Sequence, residues 1–282
     1  MKLLFLGSSA SESIPALWCE CPNCRRAAEL GGRNIRRRTS YLVDGSTLVD
    51  FGPDANWQMK EFKVDPAAVK RLLVTHSHID HFNPEDLIWR GGGFSLAGRR
   101  IAFVANRAVV DVLDTCRKQH LPDCPFDALG LDVTVPEPGR PIQDGEMEIL
   151  PVRASHAPGE CALNYVLTAA DGSRLLIAND TGWWSEESWK LLRGMRLDIA
   201  VIEISMGIRM PYAEERGFHL GARAAIAFRD RLAELGAVTA STQVAVTHIS
   251  HHVGATHEEL EAYFRPYGMQ VGFDGMILEG KP

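Results

Sequence analysis

The segment Thr75-His76-Ser77-His78-Ile79-Asp80-His81 puts three imidazoles and a carboxylate within six positions, directly after the apolar run Arg71-Leu72-Leu73-Val74. Neutral imidazole nitrogen and carboxylate oxygen suit Zn²⁺, Mn²⁺ and Fe²⁺. Side chains two apart in an extended segment point to the same side, so His76 and His78 can grip one ion. A turn immediately after lets Asp80 and His81 address a second ion. A His-rich surface loop is the bland alternative, and the buried strand in front of the segment argues against it.

The same pattern of an apolar run ending in polar groups recurs along the chain. Arg174 to Ala178 runs into Asn179-Asp180, Asp198 to Glu203 into Ile204-Ser205, and Gln243 to Thr247 into His248. Near-continuous apolar runs predict strands buried on both faces. Helical periodicity lies between them at Arg107 to His120, at Leu220 to Leu235 before Gly236, and at His257 to Phe264 before Pro266. Alternating strands and helices predict a layered α/β fold with strand ends converging on one edge. Gly91-Gly92-Gly93 and the stretch from Pro136 to Gly139 read as loops rather than boundaries, so residues 1–282 read as a single domain.

The chain's charge narrows the partners. Its 282 residues carry a formal net charge of -6, and the nearest thing to a basic run, Arg33 to Arg38, is short. Duplex nucleic acid is therefore not expected, because phosphate neutralisation dominates that affinity. The opening Met1-Lys2-Leu3-Leu4-Phe5-Leu6-Gly7 is too short for a signal-peptide core and reads as a first strand. No run approaches the ~20 apolar residues of a membrane span. A cytoplasmic location is the expectation. Three of the six cysteines sit at Cys19, Cys21 and Cys24, too close for a disulfide framework, which in a reducing compartment points to metal. Three thiolates can wrap one tetrahedral zinc, given a fourth ligand. Cys116, Cys124 and Cys161 are dispersed and read as core or incidental, and His120 and His257 as ordinary helix-end or surface residues.

The signature His-x-His-x-Asp-His after a strand resembles that of the metallo-β-lactamase superfamily. The resemblance extends upstream to Thr47-Leu48-Val49-Asp50-Phe51-Gly52 and downstream to His156 in Ala154-Ser155-His156, Asp180 in Asn179-Asp180-Thr181-Gly182, and His248 in Val246-Thr247-His248. It implies a four-layer αββα sandwich and a two-metal site holding Zn, Mn or Fe. His76, His78 and His156 would hold one ion; Asp80, His81 and His248 would hold the other. Asp180 would bridge them, and Asp50 would support the metal loop. Two such ions ~3.5–4 Å apart activate water and neutralise charge on an attacked phosphoryl oxygen.

Gly7-Ser8-Ser9-Ala10 with Pro15, the cysteine cluster, Thr247-His248-Ile249-Ser250-His251 and Val271-Gly272-Phe273-Asp274-Gly275-Met276 look like a narrower group, the phosphoribosyl 1,2-cyclic phosphate phosphodiesterases of phosphonate breakdown. That likeness implies one structural zinc on Cys19, Cys21, Cys24 and His251, with the adjacent His252 a rival. It also implies a substrate-side role for His219, as a phosphate ligand or proton donor, beside Asp80 at the reacting centre. The segment from Ser205 to Tyr212 departs from the group and leaves the substrate open; Arg209 within it reads as a phosphate anchor or, more simply, a surface arginine.

The expected function is a metal-dependent phosphodiesterase acting on a small phosphate ester, cyclic ones included. Two other reactions of the fold stand as alternatives, RNA 3′-end processing and thioester hydrolysis. A third reading, a non-catalytic carrier, comes from the pyrroloquinoline quinone biosynthesis relatives, which share the Gly-Ser start and cysteine cluster. The partner expected is a small molecule, with no membrane, and a homodimer is compatible with the sequence.

Overall fold

The computed structural model describes residues 1–96, 98–253 and 255–280. Among them, fourteen strands form two seven-stranded sheets. The first sheet runs, edge to edge, Ile277–Glu279, Lys2–Gly7, Ser40–Val43, Thr47–Val49, Arg71–Val74, Ile101–Ala105, Leu131–Thr134. The second runs Met269–Val271, Gln243–Thr247, Ile199–Glu203, Arg174–Ala178, Leu163–Thr168, Met147–Arg153, Ile142–Asp144. Each sheet has an antiparallel half and a parallel half, the latter fed by helical crossovers.

Side-chain alternation sorts the strands' apolar residues into three cores. Leu73 faces inward and packs with Leu3, Phe5, Tyr41, Ile149, Tyr165, Leu175, Ile177 and Val201 between the sheets. Its neighbours Leu72 and Val74 face out, onto Leu87, Ile88, Val109 and Leu113 of the helices Pro84–Ile88 and Arg107–His120. Leu176 and Ala178 likewise face out from the second sheet, onto Trp189, Phe228 and Phe264 of Glu186–Leu191, Ala222–Glu234 and His257–Phe264. Helices, sheet, sheet and helices thus make four layers, the αββα sandwich. Each fully buried leucine in these cores contributes roughly 1.5–3 kcal/mol.

The helix expected from Leu220 starts at Ala222 instead. Gly221 lies against the backbone of Tyr212 and Ala213, an approach a Cβ would block, so the chain there is a packed corner rather than a first turn. His257 corrects the reading of it as an ordinary helix-end residue. It is buried at the start of its helix, with Nδ1 2.8 Å from the fully buried Arg36 guanidinium and Nε2 3.2 Å from Glu261. The basic run is therefore not one solvated face.

Candidate metal centre

Strand ends on one edge of the sandwich deliver the site. His76 follows Val74 by two residues, Asp180 follows Ala178 by two, and His248 follows Thr247 directly. Asp50, Asp180 and His248 all have positive φ, at 63°, 46° and 55°, backbone conformations costly outside glycine and tolerated where packing over-determines them. Gly52 lets the chain after Asp50 lie against the metal loop: a Cβ there would sit 2.1 Å from the Asp80 carbonyl. Phe51 N–H donates to the His81 carbonyl at 2.8 Å.

Two groups of donor atoms result. His76, His78, His156 and Asp180 form one; Asp80, His81, His248 and Asp180 form the other. Within each group the donor atoms lie within 4.8 Å of one another. Asp180 belongs to both. Its Oδ2 lies 3.6 Å from His76 Nε2, 3.5 Å from His156 Nε2 and 3.1 Å from His81 Nε2, and its Oδ1 lies 2.7 Å from His248 Nε2. Asp80 Oδ2 is 3.2 Å from His81 Nε2 and 3.7 Å from His248 Nε2.

Hydrogen bonds set the tautomers. His81 Nδ1 donates to Asp50 Oδ2 at 2.7 Å, and His156 Nδ1 to the Phe218 carbonyl at 2.8 Å. His76 Nδ1 donates to Thr75 Oγ1 at 3.0 Å, and that hydroxyl passes its own proton to Asp50. His248 Nδ1 donates to Ser205 Oγ at 2.7 Å, and the Ser205 hydroxyl donates to Glu203. With Nδ1 so engaged, all four rings turn Nε2 inward, the nitrogen that a cation would take. His78 adds Nδ1, 3.3 Å from His156 Nε2. His76 Nε2 is buried with no hydrogen-bond partner among the described residues, and His81 and His248 Nε2 face each other at 3.3 Å. Ring nitrogens turned inward beside buried carboxylates fit divalent cations. In the absence of a cation, burial opposes charging, but the adjacent carboxylates prevail. Asp180 and Asp80 push His248 up to about 10, and Asp180, Asp80 and Asp50 hold His81 well above the usual histidine range.

His219 stands beside this centre, its ring 4.7 Å from His156 and 5.9 Å from His248 between centroids. Glu203 takes its Nδ1 at 3.0 Å. Burial lowers the His219 pKa, but the Glu203 carboxylate outweighs it and raises the value. A cavity of about 500 Å³ opens here, lined by His78, Asp80, Asp180, His219, His248 and, farther along, Glu12.

The cysteines meet the last strand's loop. His251 Nδ1 lies 3.4, 3.7 and 3.6 Å from the sulfurs of Cys19, Cys21 and Cys24, whereas His252 is exposed and turned to the cavity. Burial raises the Cys24 thiol to about 12. At Cys21 burial also raises the thiol, but hydrogen bonding from His251 and the Cys24 backbone brings it down to about 6.

The structure adds residues that carried no role in the sequence reading. Glu203 binds His219, Thr181 N–H at 2.6 Å and Ser205. Glu160 accepts from Ser77 N–H at 3.1 Å, Ser77 Oγ at 2.8 Å and Asn106 Nδ2 at 2.8 Å, tying the metal loop to the cap of Arg107–His120. An acid at the end of an apolar strand was the available signal for Glu203; Glu160 offered none.

The description Beta-lactamase superfamily domain matches residues 46–249, which hold every donor of the two groups. The chain belongs to the metallo-β-lactamase superfamily. Among curated proteins it is similar to an octanoyltransferase of Porphyromonas gingivalis, 25% identical over 289 aligned positions that take in 98% of this chain and 51% of the relative. The chain spans about half the length of the curated relatives it matches. In fold it is similar to a new diphosphatase from the PhnP family, with TM-score 0.74, 23% identity, and 99% and 98% of the two chains covered. It is also similar to Zn²⁺-bound PqqB from Methylobacterium extorquens, with TM-score 0.70, 17% identity, and 99% and 100% covered. No helix among the described residues is long and apolar enough to cross a membrane.

Proposed function

We propose that this chain is a dinuclear metal-dependent hydrolase, a phosphodiesterase acting on a small phosphate ester, cyclic esters included. The observation that carries the reading is the placement of the Glu203–His219 pair on the same cavity as two donor groups joined at Asp180. His76, His78 and His156 would hold one divalent cation and Asp80, His81 and His248 the other, with Asp180 within reach of both groups. Cations held there supply Lewis acidity, lowering the pKa of water and offsetting charge on phosphoryl oxygens. The cysteines with His251 hold one structural zinc that fixes the loop carrying His248.

The chain's own groups do the rest. Asp180 and Asp80 are acceptors that orient an attacking water. Glu203 holds His219 by Nδ1 and favours its protonated form, leaving Nε2–H for the substrate. As water attacks phosphorus it gives one proton to the Asp80 carboxylate, the ester P–O bond breaks, and His219 passes its own proton to the departing oxygen. The cavity of about 500 Å³ suits a small ester rather than a duplex.

The test is a panel of cyclic phosphates and phosphodiesters, bis(p-nitrophenyl) phosphate among them, assayed with metal-reconstituted protein beside Asp180→Ala. Turnover at least ~10²-fold above the variant on one of them is expected. Wild type and variant indistinguishable on every substrate would sink the reading.

A further inference from the structure

The active-site cavity has a second polar wall, outside the two donor groups that share Asp180. Backbone pairing builds it: Ala10 N–H donates to the Ile249 carbonyl at 3.1 Å and Ile249 N–H to the Ser8 carbonyl at 3.0 Å. That ladder brings the segment after Lys2–Gly7 alongside the loop after Gln243–Thr247, so Ser11 and Glu12 line the cavity with Ser250 and His252. The Glu12 carboxylate lies within 4.8 Å of ring nitrogens of both His251 and His252. His251 is committed through Nδ1 to the three sulfurs. His252 is exposed and makes no such commitment.

Glu12 Oε2 is enclosed and has no hydrogen-bond partner among the described residues. An enclosed carboxylate oxygen without a donor is costly, so a bound molecule that supplies one gains from it. The chemistry of the pair decides what that molecule offers. A carboxylate accepts and repels, so it disfavours a second phosphate or carboxylate at this end of the cavity. A neutral imidazole both donates and accepts. Hydroxyl groups match this wall: one donates to Glu12 while its neighbour exchanges a hydrogen bond with His252.

We infer that Glu12 and His252 read hydroxyl groups on the alcohol part of the ester, selecting a neutral polyol over a second anionic group. This rests on the hydrolase reading and names the substrate class for the same cavity. Both residues determine specificity; neither touches the reacting atoms.

Two matched esters test it, methyl p-nitrophenyl phosphate and glyceryl p-nitrophenyl phosphate, which release the same chromophore and differ in the diol. For the metal-loaded wild type, kcat/KM should favour the glyceryl ester by roughly tenfold or more, the scale of one substrate hydroxyl in a partly open site. Glu12→Ala and His252→Ala should each draw that ratio toward one. Should Glu12→Ala fail to fold by circular dichroism, His252→Ala, at an exposed position, carries the test alone. A ratio near one in the wild type, or a ratio that survives both substitutions, overturns the inference. If the wild type cleaves neither ester, the hydrolase reading is judged on the panel of cyclic phosphates and phosphodiesters instead. Calorimetric titration with glycerol 1-phosphate and methyl phosphate then decides the inference. Preference for glycerol 1-phosphate that is lost in the variants supports it, and equal binding of the two in the wild type overturns it.

Discussion

An imidazole can hold a cation only through a nitrogen that carries no proton, so whatever binds its other nitrogen decides whether it is a ligand at all. Asp50 does this twice, directly for His81 and through the Thr75 hydroxyl for His76, and it also accepts the Thr75 N–H at 2.8 Å. One buried carboxylate therefore sets a ring in each donor group. Asp50→Asn keeps the shape, but its amide nitrogen cannot accept a proton donor. Affinity for zinc, read by competition with a chromophoric chelator, should fall about 10–100-fold; wild-type affinity in the variant would contradict this role. The donors from His76 to His81, Asp180 and His248 were legible because each follows an apolar run, whereas Asp50 and His156 were reached only through the family resemblance. Glu160, Glu203 and Ser205 were not legible, because an acceptor's role depends on which donor packing brings to it.

Among the elements, the loops joining strands carry more of the account than the helices do. The loop before Ile277–Glu279 places Asp274 under the first strand's end, where it accepts from Ser8 Oγ and Arg37 N–H, both at 2.8 Å. Burial raises its pKa to about 6, although those hydrogen bonds and the Arg36 charge pull the other way. The folded value thus lies above the ~3.9 of an unfolded chain. The protonated form is favoured in the fold, so the group's contribution is full below about pH 4 and is lost as pH rises through about 6. Relative to Asp274→Asn, the wild type should lose on the order of 2–3 kcal/mol between pH 4 and pH 7, measured by urea unfolding of both proteins in the same buffers. A constant difference across that range would contradict the assignment. Strand limits were readable to within a residue or so, as with Arg174–Ala178 and Gln243–Thr247. Arg36 and His257 were not: a charged residue in a basic run and a histidine at a helix start look solvated until Arg36 is seen donating to the Ser8 hydroxyl and the Gly272 carbonyl, with His257 against it.

Across the whole molecule, the centre exists only where the two sheets meet. His76, His78, Asp80 and His81 come from the first sheet, and His156, Asp180 and His248 from the second, across a core that holds their strand ends level. The cysteine cluster then fastens the segment after the first strand to the loop bearing His248. The order of ligands along the chain was visible in the sequence; the polar wall of Glu12 and His252 was not, since it arises from pairing between segments some 240 residues apart. Counting metal by inductively coupled plasma mass spectrometry, on zinc-reconstituted protein freed of loose ions, tests the central claim most directly. The account predicts about three ions per chain in the wild type, two in Cys21→Ser and one in Asp180→Ala, from the two donor groups sharing Asp180 and the separate cysteine group. A single ion per chain in the wild type, lost entirely in Cys21→Ser, would contradict it.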